Sequence, residues 1–136
     1  MIADFLSSPR HVSLYFHIPF CTKKCHYCHF FVLPDKPAFR KQLINSIKRD
    51  LTKWSDRLSG KELVSLYFGG GTPSLLAPDE IAELIETAAS HLKFDKDAIE
   101  TTLEANPDNV SLLKMEQFAN AGINRVSIGV QTLDDP

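Results

Sequence analysis

Cys21, Cys25 and Cys28 form a CxxxCxxC motif and are the only cysteines in a chain of 136 residues. An odd number of cysteines crowded into one short segment is a poor basis for a disulfide framework. In a reducing cytosol, clustered thiols point to metal. Three thiolates at this spacing wrap a cubane [4Fe-4S] cluster and leave its fourth iron without a protein ligand. An amino acid chelating that open iron through amine and carboxylate would place a sulfonium beside the cluster, ready to receive one electron. Zinc is the alternative, with His17, His26 or His29 completing a tetrahedral set. Inert buried thiols are the plainest reading.

Elements that must position these thiols follow from periodicity. Val12 to Ile18 (VSLYFHI) alternates and is rich in β-branched and aromatic residues, which predicts a strand ending at Pro19. The cysteines therefore sit on the loop directly after the first strand. From Pro37 to about Leu58, Phe39, Leu43, Ile44, Ile47, Leu51, Trp54 and Leu58 recur at helical spacing. Leu63 to Phe68 (LVSLYF) reads as a second strand, running into a tight turn at Gly69, Gly70, Gly71, Thr72 and Pro73. Pro78 opens a second helix with Ile81, Leu84, Ile85, Ala88 and Leu92 on its apolar face. Ile99 to Ala105 predicts a third strand, stopped by Asn106 and Pro107. A third helix follows from about Val110 to Ala121, with Asp108 and Asn109 as caps and Gly122 as the exit. Arg125 to Val130 predicts the fourth strand.

The fold class is α/β, with parallel strands joined by right-handed crossovers. Closed (β/α) barrels take roughly 200 residues or more, so four such units amount to half a barrel. The expectation is a truncated chain, since a half barrel leaves strand edges unpaired.

Composition narrows the function classes. Hydrophobic residues make up 43% and the formal charge is -2, with lysines and arginines scattered among acids. This offers no basic footprint for a nucleic-acid backbone. No apolar run approaches the roughly 18 residues of a membrane span, and Met1 to Arg10 lacks the basic start and apolar stretch of a signal peptide. A cytoplasmic protein is the expectation.

The stretch Tyr15 to Phe30, YFHIPFCTKKCHYCHF, resembles the opening of the radical S-adenosylmethionine (SAM) family that contains oxygen-independent coproporphyrinogen III oxidase and the heme chaperone HemW. The similarity continues through Gly69 to Pro73 (GGGTP), Leu103 to Pro107 (LEANP) and Arg125 to Gln131 (RVSIGVQ). The resemblance implies the first four β/α units of a partial radical SAM barrel. Residues 1–136 would be its N-terminal part, without the rest of the barrel and a C-terminal domain. It implies a [4Fe-4S] cluster on Cys21, Cys25 and Cys28 and SAM as cofactor. The segment Gly69, Gly70, Gly71 would contact the amino group of SAM, with Thr72 and Pro73 fixing the turn. Glu104 would bind SAM, Gln131 would face cofactor or substrate, and Tyr15 would lie near the cluster. Tyr27, just before the last cysteine, would stand against the adenine region.

Two departures favour the HemW-like branch over the decarboxylating oxidase. Phe30 stands where the oxidase pattern has a further cysteine, and only 20 residues precede Cys21. The branch implies heme binding and delivery. The oxidase alternative implies SAM cleavage and hydrogen abstraction from a porphyrinogen propionate, giving protoporphyrinogen IX. Partners on either reading are SAM, heme or a porphyrinogen, and an electron donor for the cluster. A zinc-stabilised interaction module remains the reading of another class. His29 replaces an acidic residue common in the HemW-like pattern, and it is either a solvated loop residue or a heme ligand. By itself the 136-residue chain is expected to bind SAM weakly and catalyse nothing.

Overall fold

The computed structural model describes residues 10–95 and 98–134, so the lead before Arg10 lies outside the described residues. Four strands form one parallel sheet: β1 (His11–Ile18), β4 (Glu62–Gly70), β5 (Glu100–Ala105) and β6 (Arg125–Ile128), in the order β1-β4-β5-β6. Three helices cross between them, α1 (Pro37–Leu58), α2 (Pro78–His91) and α3 (Leu112–Asn120). This is the parallel α/β order expected from the apolar periodicity. A two-residue parallel pair, β2 (Phe20–Cys21) with β3 (Leu33–Pro34), brackets the cysteine loop. Nothing in the hydrophobic pattern announces so short a pair.

Alternation along the strands gives the sheet two unlike faces. Phe16, Ile18, Leu66, Phe68 and Leu103 are buried on one face, where Phe16 and Phe68 pack with ring centroids 4.9 Å apart. α1 supplies Ile44, Leu51 and Leu58 to this core, and α2 supplies Ile81, Leu84, Ile85 and Ala88. Burying each large apolar side chain contributes about 1.5–3 kcal/mol. The register pairs Tyr15 with Tyr67, Tyr67 with Thr102, and Glu104 with Ser127, so these residues share the other, polar face. Parallel sheets normally cover both faces with apolar layers. A polar face on one side is what a ligand-holding barrel interior needs.

One irregularity decides which residues reach that polar face. Val12 pairs with Leu63 and Ser13 with Ser65, leaving Val64 as an extra residue in β4. The bulge keeps both Leu63 and Leu66 in the core and turns Tyr67 to the polar side.

Three boundaries differ from the sequence expectation. Gly69 and Gly70 belong to β4 rather than to the turn, because β1 continues to pair beside them. α3 starts at Leu112 and is capped by Ser111, whose side chain accepts from the Lys114 amide; Asp108 and Asn109 are not its caps. Pro107–Asn109 form a 3-10 turn instead, with Pro107 at its first position. β6 ends at Ile128, so Gln131 lies beyond the strand.

β5 and β6 are also tied by a side chain. Asn124 accepts from the Thr101 amide at 2.8 Å and donates to the Ile99 carbonyl at 2.7 Å. Replacing Asn124 with alanine strips a partner from two backbone groups and is expected to destabilise the chain by about 1–3 kcal/mol in urea unfolding. An unchanged unfolding midpoint would show that water replaces both bonds at no cost.

Candidate functional site

The ends of β1, β4 and β5 gather three of the four sequence motifs at one end of the sheet. Pro19 lacks an amide proton and breaks the β1 ladder, after which Phe20 is buried and Cys21 is half-buried. Cys25 is exposed and Cys28 half-buried, and the Cys28 amide donates to the Cys25 carbonyl at 3.0 Å in a tight turn. The loop returns through β3, where the Asp35 amide donates to the Cys21 carbonyl at 3.2 Å. Asp35 also accepts two hydrogen bonds from Arg40, which faces Glu80 at 3.7 Å. These contacts anchor the base of the loop to α1 and α2. Asp35 first, through its hydrogen bond, keeps the Arg40 guanidinium charged by raising its pKa.

The glycine segment fits against this loop at backbone distance. The Gly71 amide donates to the Ile18 carbonyl at 2.8 Å and the Thr72 amide to the Phe20 carbonyl at 2.7 Å. A Cβ on Gly71 would stand 2.6 Å from the Phe20 oxygen and 3.1 Å from the Cys21 sulfur. Gly70 has φ +120, which L side chains rarely adopt, and a Cβ there would meet His17 Nδ1 at 2.8 Å. The space is therefore reserved for backbone. His17 packs against Gly70, a structural position.

Glu104, near the end of β5, is held from two sides. Tyr67 donates its hydroxyl to one carboxylate oxygen at 2.8 Å, and the Gly70 amide donates to the other at 3.0 Å. Each oxygen keeps a further lone pair for an incoming donor. The Tyr67 hydroxyl is held above its ordinary pKa, chiefly by this hydrogen bond and then by burial, so it remains a donor. Tyr15 stacks on Tyr67 with centroids 5.7 Å apart, and burial followed by the Glu104 charge raises its pKa too. Both rings close on Gly69, where a Cβ would stand 2.8 to 2.9 Å from them. Tyr67 and Asn106 are the site-building residues that sequence reasoning missed. Tyr67 looked like one more aromatic in an apolar run, and Asn106 like a strand stop.

A cavity of about 200 Å³ opens here, lined by Gly71, Glu104, Ala105, Asn106, Ser127 and Gly129. Gln131 does not line it and is exposed. Tyr27 is half exposed on the cysteine loop, in edge contact with His26. Its pKa is raised, first by a hydrogen bond with Cys25. A larger cavity of about 490 Å³ lies between β1 and α1, apolar and lined by residues such as Leu43, Ile47 and Trp54. Tyr15, His17 and Asp50 also reach its wall, but Glu104 and the glycine segment lie at the smaller one.

Three thiols are the donor type and number that a cubane held at three corners requires. Three free thiols lie on one loop, and side-chain-free backbone lies against the first. Among the described residues no three His, Cys, Asp or Glu side chains are grouped to hold a single ion. Cys21, Cys25 and Cys28 would hold the cluster, which when bound supplies one electron to a sulfonium. The chain's own geometry is a polar cradle: the Glu104 carboxylate, held by the Tyr67 hydroxyl and the Gly70 amide, lines the small cavity beside Gly71.

Residues 15–136 match the family described as the Radical SAM superfamily. The chain belongs to that superfamily. Membership implies S-adenosylmethionine and a [4Fe-4S] cluster as cofactors. This radical SAM chain is 38% identical over 129 residues to the heme chaperone HemW of Haemophilus influenzae, covering 91% of this chain and 33% of that protein. It is 42% identical over 133 residues to the bovine (Bos taurus) Radical S-adenosyl methionine domain-containing protein 1, mitochondrial, covering 93% of this chain and 28% of the relative. Coproporphyrinogen III oxidase (HemN) from Escherichia coli superposes with TM-score 0.86 at 24% identity, over 98% of this chain and 31% of that one. That likeness gives the fold, a partial barrel of parallel strands. The chain spans about a third of the length of the curated relatives it matches.

Proposed function

We propose that this chain is the cluster- and SAM-binding portion of a HemW-like protein that binds and delivers heme. One observation carries the cofactor part. The cysteine loop, the Gly69–Thr72 segment and Glu104 are joined by hydrogen bonds at a single end of the sheet. Cys21, Cys25 and Cys28 hold the cluster. The backbone of Gly69, Gly70, Gly71 and Thr72 and the carboxylate of Glu104 receive the methionine part of SAM. Tyr15 and Tyr27 flank the cofactor, and Gln131, exposed on the loop after β6, is assigned to face cofactor or substrate. Residues 1–136 form the N-terminal part of the core domain. The heme part rests on the similarity to proteins named heme chaperone HemW, and on Phe30 standing in place of the oxidase cysteine.

A reducing compartment suits three unpaired thiols, and the cytoplasm is the compartment this reading assigns. Among the described residues no helix is long and apolar enough to cross a membrane. An electron donor completes the set of partners.

Glu104→Gln keeps the size of the side chain and removes its charge. It is expected to weaken SAM binding at least tenfold, about 1.4 kcal/mol, by calorimetry on anaerobically loaded protein. Equal affinity would remove Glu104 from the binding site. The heme assignment is tested on the full-length protein. Heme is expected to bind saturably, and coproporphyrinogen III with SAM and reductant is expected to stay unconverted. Accumulation of protoporphyrinogen IX would establish the oxidase instead.

A further inference from the structure

Thr72 is 4% exposed, and its hydroxyl stands between two other motifs. Asn106 Nδ2 lies 3.2 Å from Thr72 Oγ1, and Cys21 Sγ lies 3.6 Å from the same oxygen. The direction of this chain follows from the chemistry of the groups. An amide nitrogen only donates, so Thr72 accepts from Asn106 and its single proton is left for the sulfur. A cysteine that ligates iron is a thiolate, which has no proton to give and accepts instead. Thr72 is also fixed by its backbone. Its amide donates to the Phe20 carbonyl at 2.7 Å, and its carbonyl accepts from the Leu75 amide at 3.0 Å. Asn106 is set in turn by the 3-10 turn it begins, where its carbonyl accepts from the Asn109 amide at 2.9 Å.

We propose that Thr72, oriented by Asn106, donates a hydrogen bond to the Cys21 sulfur and thereby raises the reduction potential of the cluster that Cys21 ligates. The inference rests on the assignment of Cys21 as a cluster ligand. An added electron increases negative charge on the cluster and its sulfurs, so a donor aimed at one sulfur favours the reduced form. The donor is buried, so water competes little for its hydroxyl, and a hydrogen bond is electrostatically stronger there. Thr72 and Asn106 are positioning residues in this role, and the partners of ligating groups tune metal sites in this way. The chain of contacts also gives the GGGTP and LEANP segments a common purpose beyond the SAM cradle. Together they set the electronic state of the first cysteine.

The test is a redox titration of the anaerobically loaded full chain, monitored by electron paramagnetic resonance, with iron and sulfide measured on every sample. Thr72→Val keeps the shape and removes the donor. Its midpoint is expected to fall by about 59 mV, a tenfold change in a one-electron equilibrium. Thr72→Ser keeps the hydroxyl and is expected to titrate with the unaltered chain. Asn106→Leu frees the hydroxyl to turn away and is expected to lower the midpoint by a smaller amount. In a Thr72→Val background the same Asn106 change is expected to add nothing, a coupling that a merely structural role would not produce.

Normal iron uptake with an unmoved midpoint in Thr72→Val would overturn the inference. If Thr72→Val does not load iron, Asn106→Leu decides, and an unmoved midpoint there overturns it equally. Independent, additive shifts from the two positions would also overturn it. If the unaltered chain takes up no iron and sulfide, the cysteine assignment itself falls and this inference with it. That outcome is distinct from an intact cluster at an unmoved potential.

Discussion

Gly71→Ala is expected to separate the glycine segment from the cysteine loop and to cost the protein most of its iron and sulfide. The added Cβ would stand 2.6 Å from the Phe20 carbonyl oxygen, 2.9 Å from the Pro19 carbonyl carbon and 3.1 Å from the Cys21 sulfur. Two of these neighbours are backbone, so no side chain can rotate away to relieve the clash. The backbone must shift, and doing so strains the bonds from the Gly71 amide to Ile18 and from the Thr72 amide to Phe20. Forcing extra volume into a packed site costs about 1–3 kcal/mol. The clash falls on the segment that carries the first thiol, so cluster content should drop further than global stability does. Gly60→Ala is the control. Gly60 has φ +74 with nothing within 4 Å of a Cβ, so alanine there meets only the left-handed backbone penalty of about 1–2 kcal/mol. It should unfold earlier yet load iron normally. Equal iron content in the two variants would contradict the proposed contact.

Replacing any one of Cys21, Cys25 and Cys28 with alanine is expected to take iron from about four per chain to near zero and to bleach the brown colour of the cluster. Cys25 is the most informative of the three, because it is exposed and makes no contribution to the core. Its variant should unfold at the same denaturant concentration as the unaltered apo-protein while failing to hold a cluster. The histidines separate this account from the zinc reading. Alanine at His17, His26 or His29 is expected to leave iron content unchanged, whereas a tetrahedral zinc site would lose its fourth ligand with one of them. Retention of colour in all three cysteine variants would remove the loop as the ligand set.

The order of strands and helices was legible because each element carries its own apolar period, and α/β connections leave few ways to arrange them. Ile44, Leu51 and Leu58, spaced seven apart, were readable as the buried stripe of α1. What could not be read depends on pairing. The bulge at Val64 breaks the two-residue alternation in β4, and without the registers to β1 and β5 nothing shows that Tyr67 faces Glu104. Asn106 was visible only as the end of a strand, because its contact with Thr72 spans 34 residues of sequence. Asp108 and Asn109 precede the expected start at Val110, whereas Ser111 falls just inside it, so the sequence points to the wrong cap. Pro107 commits those two residues to a separate 3-10 turn. The glycine segment illustrates the intermediate case. Its sequence announces backbone freedom, and the geometry adds what uses it, namely Tyr15, Tyr67, His17 and the backbone of the cysteine loop.

The central claim is that three thiols of one loop hold a cluster whose remaining iron takes SAM. Anaerobic reconstitution followed by iron and sulfide determination tests it, with electron paramagnetic resonance of the reduced protein recorded before and after addition of SAM. The account predicts about four irons and four sulfides per chain and a resonance altered by SAM. Zinc in place of iron, or a cluster whose resonance is the same with and without SAM, would contradict it.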